Sequence, residues 1–163
     1  MNKILVALDF SDLTGAVLQQ TVTMARALGA TVRLIHTEPP ATGYIYEDAS
    51  LGLEAPLVGF GCTPCLDEQV RSRELEHDRQ ALDTIREQLE REGVTADTVL
   101  LEGPTPESIV AQAETYGADL IIVGIHKHGR LYSLLFGNTA MDIMPEAPCP
   151  LLLVPETRKT EDS

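Results

Sequence analysis

Apolar positions along the chain follow two alternating rhythms. Short, nearly continuous apolar runs occur at Lys3–Leu8 (KILVAL), Thr31–Ile35 (TVRLI), Thr98–Leu101 (TVLL), Leu120–Val123 (LIIV) and Leu151–Val154 (LLLV). Such runs read as strands covered on both faces, the habit of parallel sheets. Between them apolar residues recur at helical spacing. Leu13, Val17, Met24 and Leu28 define a first helix, with Ser11 as its N-cap, Asp12 in its first turn and Gly29 past its end. Leu75, Leu82, Ile85 and Leu89 define a long helix from Asp67 to Glu92, stopped by Gly93 and too short to sustain a coiled coil. Thr105 caps a third helix with Pro106 at its first position, Ile109, Val110 and Ala113 inward, and Gly117 at its end. A last helix starts near Asn138 and stops by Pro145. The alternation predicts one α/β domain over residues 1–155, an open five-stranded parallel sheet flanked by helices, joined by right-handed crossovers. A polar tail, 156–163, follows.

The rhythm breaks once. Residues 38–66, between the second strand and the second helix, carry Pro39, Pro40, Gly43, Gly52, Pro56, Gly59, Gly61 and Pro64 among apolar residues such as Tyr44, Tyr46 and Phe60. A connection this long is uncommon inside a compact domain. A lid, a partner-binding flap, part of a dimer contact and a variable excursion over a sheet edge all fit it.

The stretch most suggestive of chemistry is Leu120–Ala140, LIIVGIHKHGRLYSLLFGNTA. Its strand predicts a loop opening at Gly124, with His126, Lys127, His128, Gly129 and Arg130 in it, then an amphipathic turn and Gly137-Asn138-Thr139 at a helix start. A glycine-rich cationic loop before a helix N-terminus suits an anion, because backbone N–H groups and the helix dipole point the same way. In open parallel sheets ligands sit beyond the carboxyl ends of the strands, where strand order reverses. Asp9, after the first strand, is a second candidate. It can bond a nucleoside's hydroxyl or amino groups, or cap the turn into the first helix.

Charge narrows the partners. The formal net charge of −13 over 163 residues opposes nucleic acid and acidic membrane surfaces, so no nucleic-acid partner is expected. No apolar run reaches membrane-spanning length, and the N-terminus lacks a signal-peptide pattern. With three cysteines, the chain reads as cytoplasmic and without membrane insertion.

Several motifs fail on inspection. Gly124–Gly129 begins like a P-loop, but Arg130-Leu131 stands where Lys and Ser/Thr are required. Gly59–Pro64 lacks the last glycine of a dinucleotide fingerprint. His126 and His128 have no nearby partners at a recognisable metal spacing, so no metal site is assigned. Cys62 and Cys65 form a CxxC with no second pair, and Cys149 reads as a buried strand residue. No catalytic residue set stands out, so the chain is not read as an enzyme; weak ATPase activity stays open.

Four segments together, KILVALDFSD, GADLIIVG, GIHKHGRLYSLLFGNTA and APCPLLLVP, resemble the universal stress protein family in order and separation. The resemblance spans roughly residues 2 to 155. It implies a Rossmann-like sheet of order 3-2-1-4-5, the fold of the adenine nucleotide alpha hydrolase-like proteins, and a homodimer through the last strand, Leu151, Leu152, Leu153 and Val154. Nucleotide-binding members carry Gly, two residues, Gly, nine residues, Gly, then Ser or Thr. Here Gly124 and Gly137 hold the outer glycine positions, Lys127 replaces the middle glycine and Asn138 the hydroxyl residue.

By the same resemblance, Ala7, Leu8 and Asp9 border adenine and ribose, and Thr37 lies beside the base. Gly124, His126 and Lys127 line ribose and phosphates, while Gly137, Asn138, Thr139 and Ala140 close over the phosphate end. The implied protein is a dimeric module of the stress response that binds ATP or AMP, with or without Mg²⁺, and signals to a protein partner of unknown identity. The alternatives are a dimeric interaction protein that binds no nucleotide and a slow ATP hydrolase.

Overall fold

In the computed structural model, residues 2–38, 64–103, 105–125 and 139–156 are described. The strands are β1 (Lys3–Ala7), β2 (Thr31–Glu38), β3 (Ala96–Glu102), β4 (Leu120–Ile125) and β5 (Leu151–Pro155). They alternate with helices α1 (Thr14–Leu28), α2 (Pro64–Arg91), α3 (Thr105–Tyr116) and α4 (Thr139–Ile143). All pairings are parallel, in the order β3-β2-β1-β4-β5. The expected sheet and its order are thus observed.

The continuous apolar runs are continuous because both sheet faces are covered. Ile4, Val6, Val32, Leu34 and Ile122 pack with residues of α1 and α2, among them Val17, Leu18, Leu82 and Leu89. Leu5, Ile35, Ile121 and Val123 pack with Ile109, Ala113, Ala140 and Ile143 of α3 and α4. Alternate residues of one strand therefore serve two separate cores.

Element ends depart from expectation where hydrogen bonding outlasts hydrophobicity. β2 continues to Glu38 instead of stopping at Ile35, because pairing with β3 persists to Glu38↔Glu102. β4 continues to Ile125, so Gly124 lies in a strand rather than opening a loop: Gly124↔Val154 and Ile125↔Pro155 extend the ladder. α2 begins at Pro64, ahead of the expected Asp67, which moves the end of the connection from 66 to 63. Residues 39–63, with Cys62, lie outside the described residues, as does 157–163 of the tail, while Cys65 falls in the first turn of α2.

The start of α1 also corrects expectation. The helix opens at Thr14 with Leu13 at the N-cap position and no side-chain cap. Ser11 instead closes the preceding turn, its Oγ accepting the Leu13 N–H at 3.3 Å and its carbonyl the Thr14 N–H at 3.0 Å. Gly29 behaves as expected, ending α1 at φ 60, a left-handed conformation costly for other residues. Cys149 precedes β5 and is half-buried rather than a strand residue; burial pushes its thiol pKa up, which disfavours the reactive thiolate.

At the amino end of the sheet, Asp119 ties β4 to β1. Its Oδ2 accepts the N–H groups of Asn2 at 2.7 Å and Lys3 at 3.1 Å. These bonds hold the carboxyl pKa below its ordinary value. A depressed folded-state pKa contributes stability above the unfolded pKa, about 3.9 for Asp, and loses it as pH falls through the folded value. Asp119→Asn is expected to be less stable than wild type at pH 7, with the difference closing as the pH drops below about 4. Urea titrations across that range check this, and a pH-independent difference contradicts it.

Candidate functional site

Strand order reverses between β1 and β4, the position at which doubly wound sheets open a crevice at their carboxyl ends. Ala7, the last residue of β1, is in register with Ile35 of β2 and Val123 of β4, and those strands run on past it to Glu38 and Ile125. Ala7, Ile35 and Val123 face the α3/α4 core, with Ala140 of α4 in the same cluster. Thr37, two residues beyond Ile35, projects to that same face and is half-buried. Four residues expected at the site, Ala7, Thr37, Thr139 and Ala140, thus belong to one side of the sheet or to the helix covering it.

Leu8 and Gly124 belong to the other side. Leu8 is buried in the α1/α2 core, its N–H donates to Ile35 O at 2.9 Å, and its carbonyl accepts from His36 Nδ1 at 2.7 Å. Gly124 is pressed against α1: a Cβ added there would lie 3.2 Å from Leu13 Cδ1 and 3.5 Å from Val17 Cγ2. Its φ is not in the left-handed region, so close approach of the helix, not backbone freedom, requires the glycine.

Asp9 follows at the carboxyl end of β1, exposed, with Oδ1 accepting the Ser11 N–H at 3.0 Å. The turn-capping role is therefore realised. An ionised carboxylate has about four acceptor positions, so capping does not exclude ligand contact. Phe10 takes φ 54, an unfavourable value for a bulky residue that turns the chain away from β1. Its ring packs on His36 with centroids 4.3 Å apart, which anchors that turn on β2. Residues 126–138, including His126, Lys127, His128, Gly137 and Asn138, lie outside the described residues.

A second group of polar residues adjoins this region, one that sequence reading missed. His36 Nε2 lies 3.1 Å from Glu38 Oε1, and Asp78 of α2 joins them. A hydrogen bond with Asp78 and burial hold the Glu38 carboxyl above its ordinary range, against the opposing influence of His36. The alternation His36, Thr37, Glu38 was the available signal, placing two polar groups on one strand face; Asp78, distant in sequence, was not.

A five-stranded parallel sheet of this order, flanked by helices, defines a Rossmann-like α/β domain. The model of the universal stress protein family matches residues 1–58 and 63–155. A universal stress protein of Thermus aquaticus is 31% identical over 153 residues, covering 93% of this chain and 96% of the relative. YxiE of Bacillus subtilis is 25% identical over 160 residues, covering 94% and 98%. The chain belongs to the universal stress protein family. Among solved structures, MJ0577 of Methanocaldococcus jannaschii superposes with a TM-score of 0.71 at 22% identity, covering 97% of this chain and 98% of that one. An Archaeoglobus fulgidus universal stress protein solved in complex with dAMP gives 0.60 at 22% identity, covering 94% and 98%.

The packing of Gly124 has a measurable consequence. Gly124→Val is expected to destabilise the protein by about 1–3 kcal/mol through overpacking against Leu13 and Val17. In a Leu13→Ala background the same substitution costs less, because the obstructing side chain is gone. A double-mutant cycle in urea checks this; strict additivity would contradict the packing role.

Proposed function

We propose that the chain binds an adenine nucleotide, ATP or AMP, at the carboxyl ends of β1, β2 and β4, and acts as a dimeric module of the stress response whose ligand state a protein partner reads. The observation that carries this reading is the reversal of strand order beside Asp9, with Ala7 and Thr37 on the same face of the sheet there. The dAMP complex of the Archaeoglobus fulgidus relative supports an adenine ligand, as does a universal stress protein solved with cAMP. In this reading Asp9 accepts hydrogen bonds from the nucleoside, Thr37 adjoins the base, and Gly124, His126 and Lys127 line ribose and phosphates. Gly137, Asn138, Thr139 and Ala140 close the phosphate end. Lys127 supplies a cation in place of backbone approach, and Asn138 an amide in place of a hydroxyl.

Calorimetric titration with ATP and AMP, each with and without Mg²⁺, tests the reading. Asp9→Ala is expected to weaken binding about 10- to 100-fold, the worth of a hydrogen bond to a charged group. Asp9→Asn, which keeps an acceptor for the Ser11 turn, reports whether the variant still folds. No binding to wild type and no co-purified nucleotide would favour the second reading, a dimeric interaction protein that binds no nucleotide. Lys127 and Asn138 are the residues that support that alternative. Phosphate release by wild type and Asp9→Ala separates a binding module from a slow hydrolase.

The dimer is proposed to form through β5, an edge strand of the sheet carrying Leu151, Leu152, Leu153 and Val154. Ile121 N donates to Pro150 O, and Glu156 N donates to Ile125 O. With alternating bond direction along a parallel strand, the N–H and C=O of Leu153 then face the open edge. Leu153→Pro removes that outward donor without removing a bond to β4. It is expected to shift the protein from dimer to monomer in light scattering with its circular dichroism retained; an unchanged dimer would exclude pairing through β5.

A further inference from the structure

We propose that His36, Glu38 and Asp78 form a binding site for a divalent transition-metal ion, with zinc the ion best matched to the donor set. The sequence gives no metal spacing, because two donors sit on β2 and the third is forty residues away on α2. The fold brings one donor atom of each residue within 4.8 Å of the others. An ion about 2.0–2.2 Å from each donor sets ligand atoms roughly 3.0–3.6 Å apart, so a small closure of the group suffices. His36 Nε2 and Glu38 Oε1, at 3.1 Å, already stand at that separation.

The orientation of His36 is the independent observation. Its Nδ1 lies 2.7 Å from the carbonyl of Leu8, which can only accept, so Nδ1 carries the proton. That leaves Nε2 as the ring atom turned toward Glu38 and Asp78. Nε2 and the two carboxyl groups converge on one point, where a cation would take the place of the proton that Glu38 and Asp78 share in their hydrogen bond. A ring N–H held by a backbone carbonyl, with the other nitrogen ligating, is the usual outer-shell arrangement of a metal-binding histidine. Phe10, stacked on the ring at 4.3 Å, holds its plane as well.

Among the described residues, no lysine or arginine pairs with the group. The side chains of His36, Glu38 and Asp78 are 13%, 22% and 14% exposed, enough for an ion to enter and for water to complete its coordination. Arg71 of α2 pairs with Glu102 at 2.8 Å. His77 approaches Asp78 at 3.4 Å but is 83% exposed, at the rim. One imidazole and two carboxylates suit zinc better than calcium, which prefers oxygen alone, and better than thiolate-seeking ions. Bound there, the ion would pin α2 to the end of β2 and, through the Leu8 carbonyl, to the end of β1.

The test uses the full chain, stripped with chelator and free of nucleotide, so its outcome is independent of the proposed nucleotide site. Zinc titration by calorimetry, with metal analysis after desalting, is expected to give one tight equivalent and a raised melting temperature. His36→Gln and Asp78→Asn are each expected to weaken binding at least about 10-fold and to abolish the thermal shift. His77→Ala, Cys62→Ser/Cys65→Ser and His126→Gln/His128→Gln are expected to retain both. The cobalt-loaded wild type is expected to show no thiolate charge-transfer band. Absence of zinc binding, unchanged binding in folded His36→Gln or Asp78→Asn, or loss in the cysteine or His126/His128 variants would overturn the proposal. Should one variant fail to fold, the cobalt spectrum and the other variant decide.

Discussion

The constraint on which the structure depends is the burial of β1 on both faces. Ile4, Leu5 and Val6 are each at most 1% exposed, and β1 is hydrogen-bonded on both edges, by β2 and β4. Because both pairings are parallel, no hairpin can join β1 to either neighbour. Its neighbours must arrive by crossovers carrying helices to one face or the other. The first two crossovers build outward through β2 to β3, and the chain then returns to place β4 on the opposite edge of β1. The reversal sets β1 beside β4, and the helices that follow them, α1 and α4, cover opposite faces of the sheet. The reversal is thus a consequence of covering the central strand, not an addition to it.

The same constraint divides the candidate residues. Because alternate side chains of a strand point to opposite faces, Ala7 and Thr37 share the α3/α4 side, while Leu8, His36 and Gly124 turn to the α1/α2 side. Gly124 then has a structural duty before any ligand is considered, since it admits Leu13 and Val17 of α1 against β4. A glycine matching a ligand-binding pattern is also a glycine the helix packing requires. The backbone bonds of Leu8 are likewise used within the fold, one to β2's carbonyl and one to His36. In this region the order of the strand ends and the arrangement of polar groups are one network.

That network explains why expected element ends were short. Hydrophobicity ends at Ile35 and Val123, and a sequence rule that follows apolar runs ends the strands there. Parallel hydrogen bonding does not depend on side-chain polarity, so β2 carries His36, Thr37 and Glu38 as strand residues and β4 carries Gly124 and Ile125. The polar residues at strand ends are precisely placed by a ladder their own side chains do not announce.

What the sequence determined by itself is therefore the alternation of elements, their two-sided burial and the candidacy of Asp9, since each follows from local periodicity and short-range turn chemistry. The order of the strands came from family resemblance rather than periodicity, because nothing local to β4 says that it returns beside β1. Only tertiary structure decided which face each candidate occupies, that Ser11 closes a turn while Leu13 takes the N-cap position, and that Gly124 serves helix packing. It alone brought Asp78 to His36 and Glu38. Local patterns record how a segment is buried; they do not record which distant segment buries it, and a site built from β2 and α2 exists only once that choice is made.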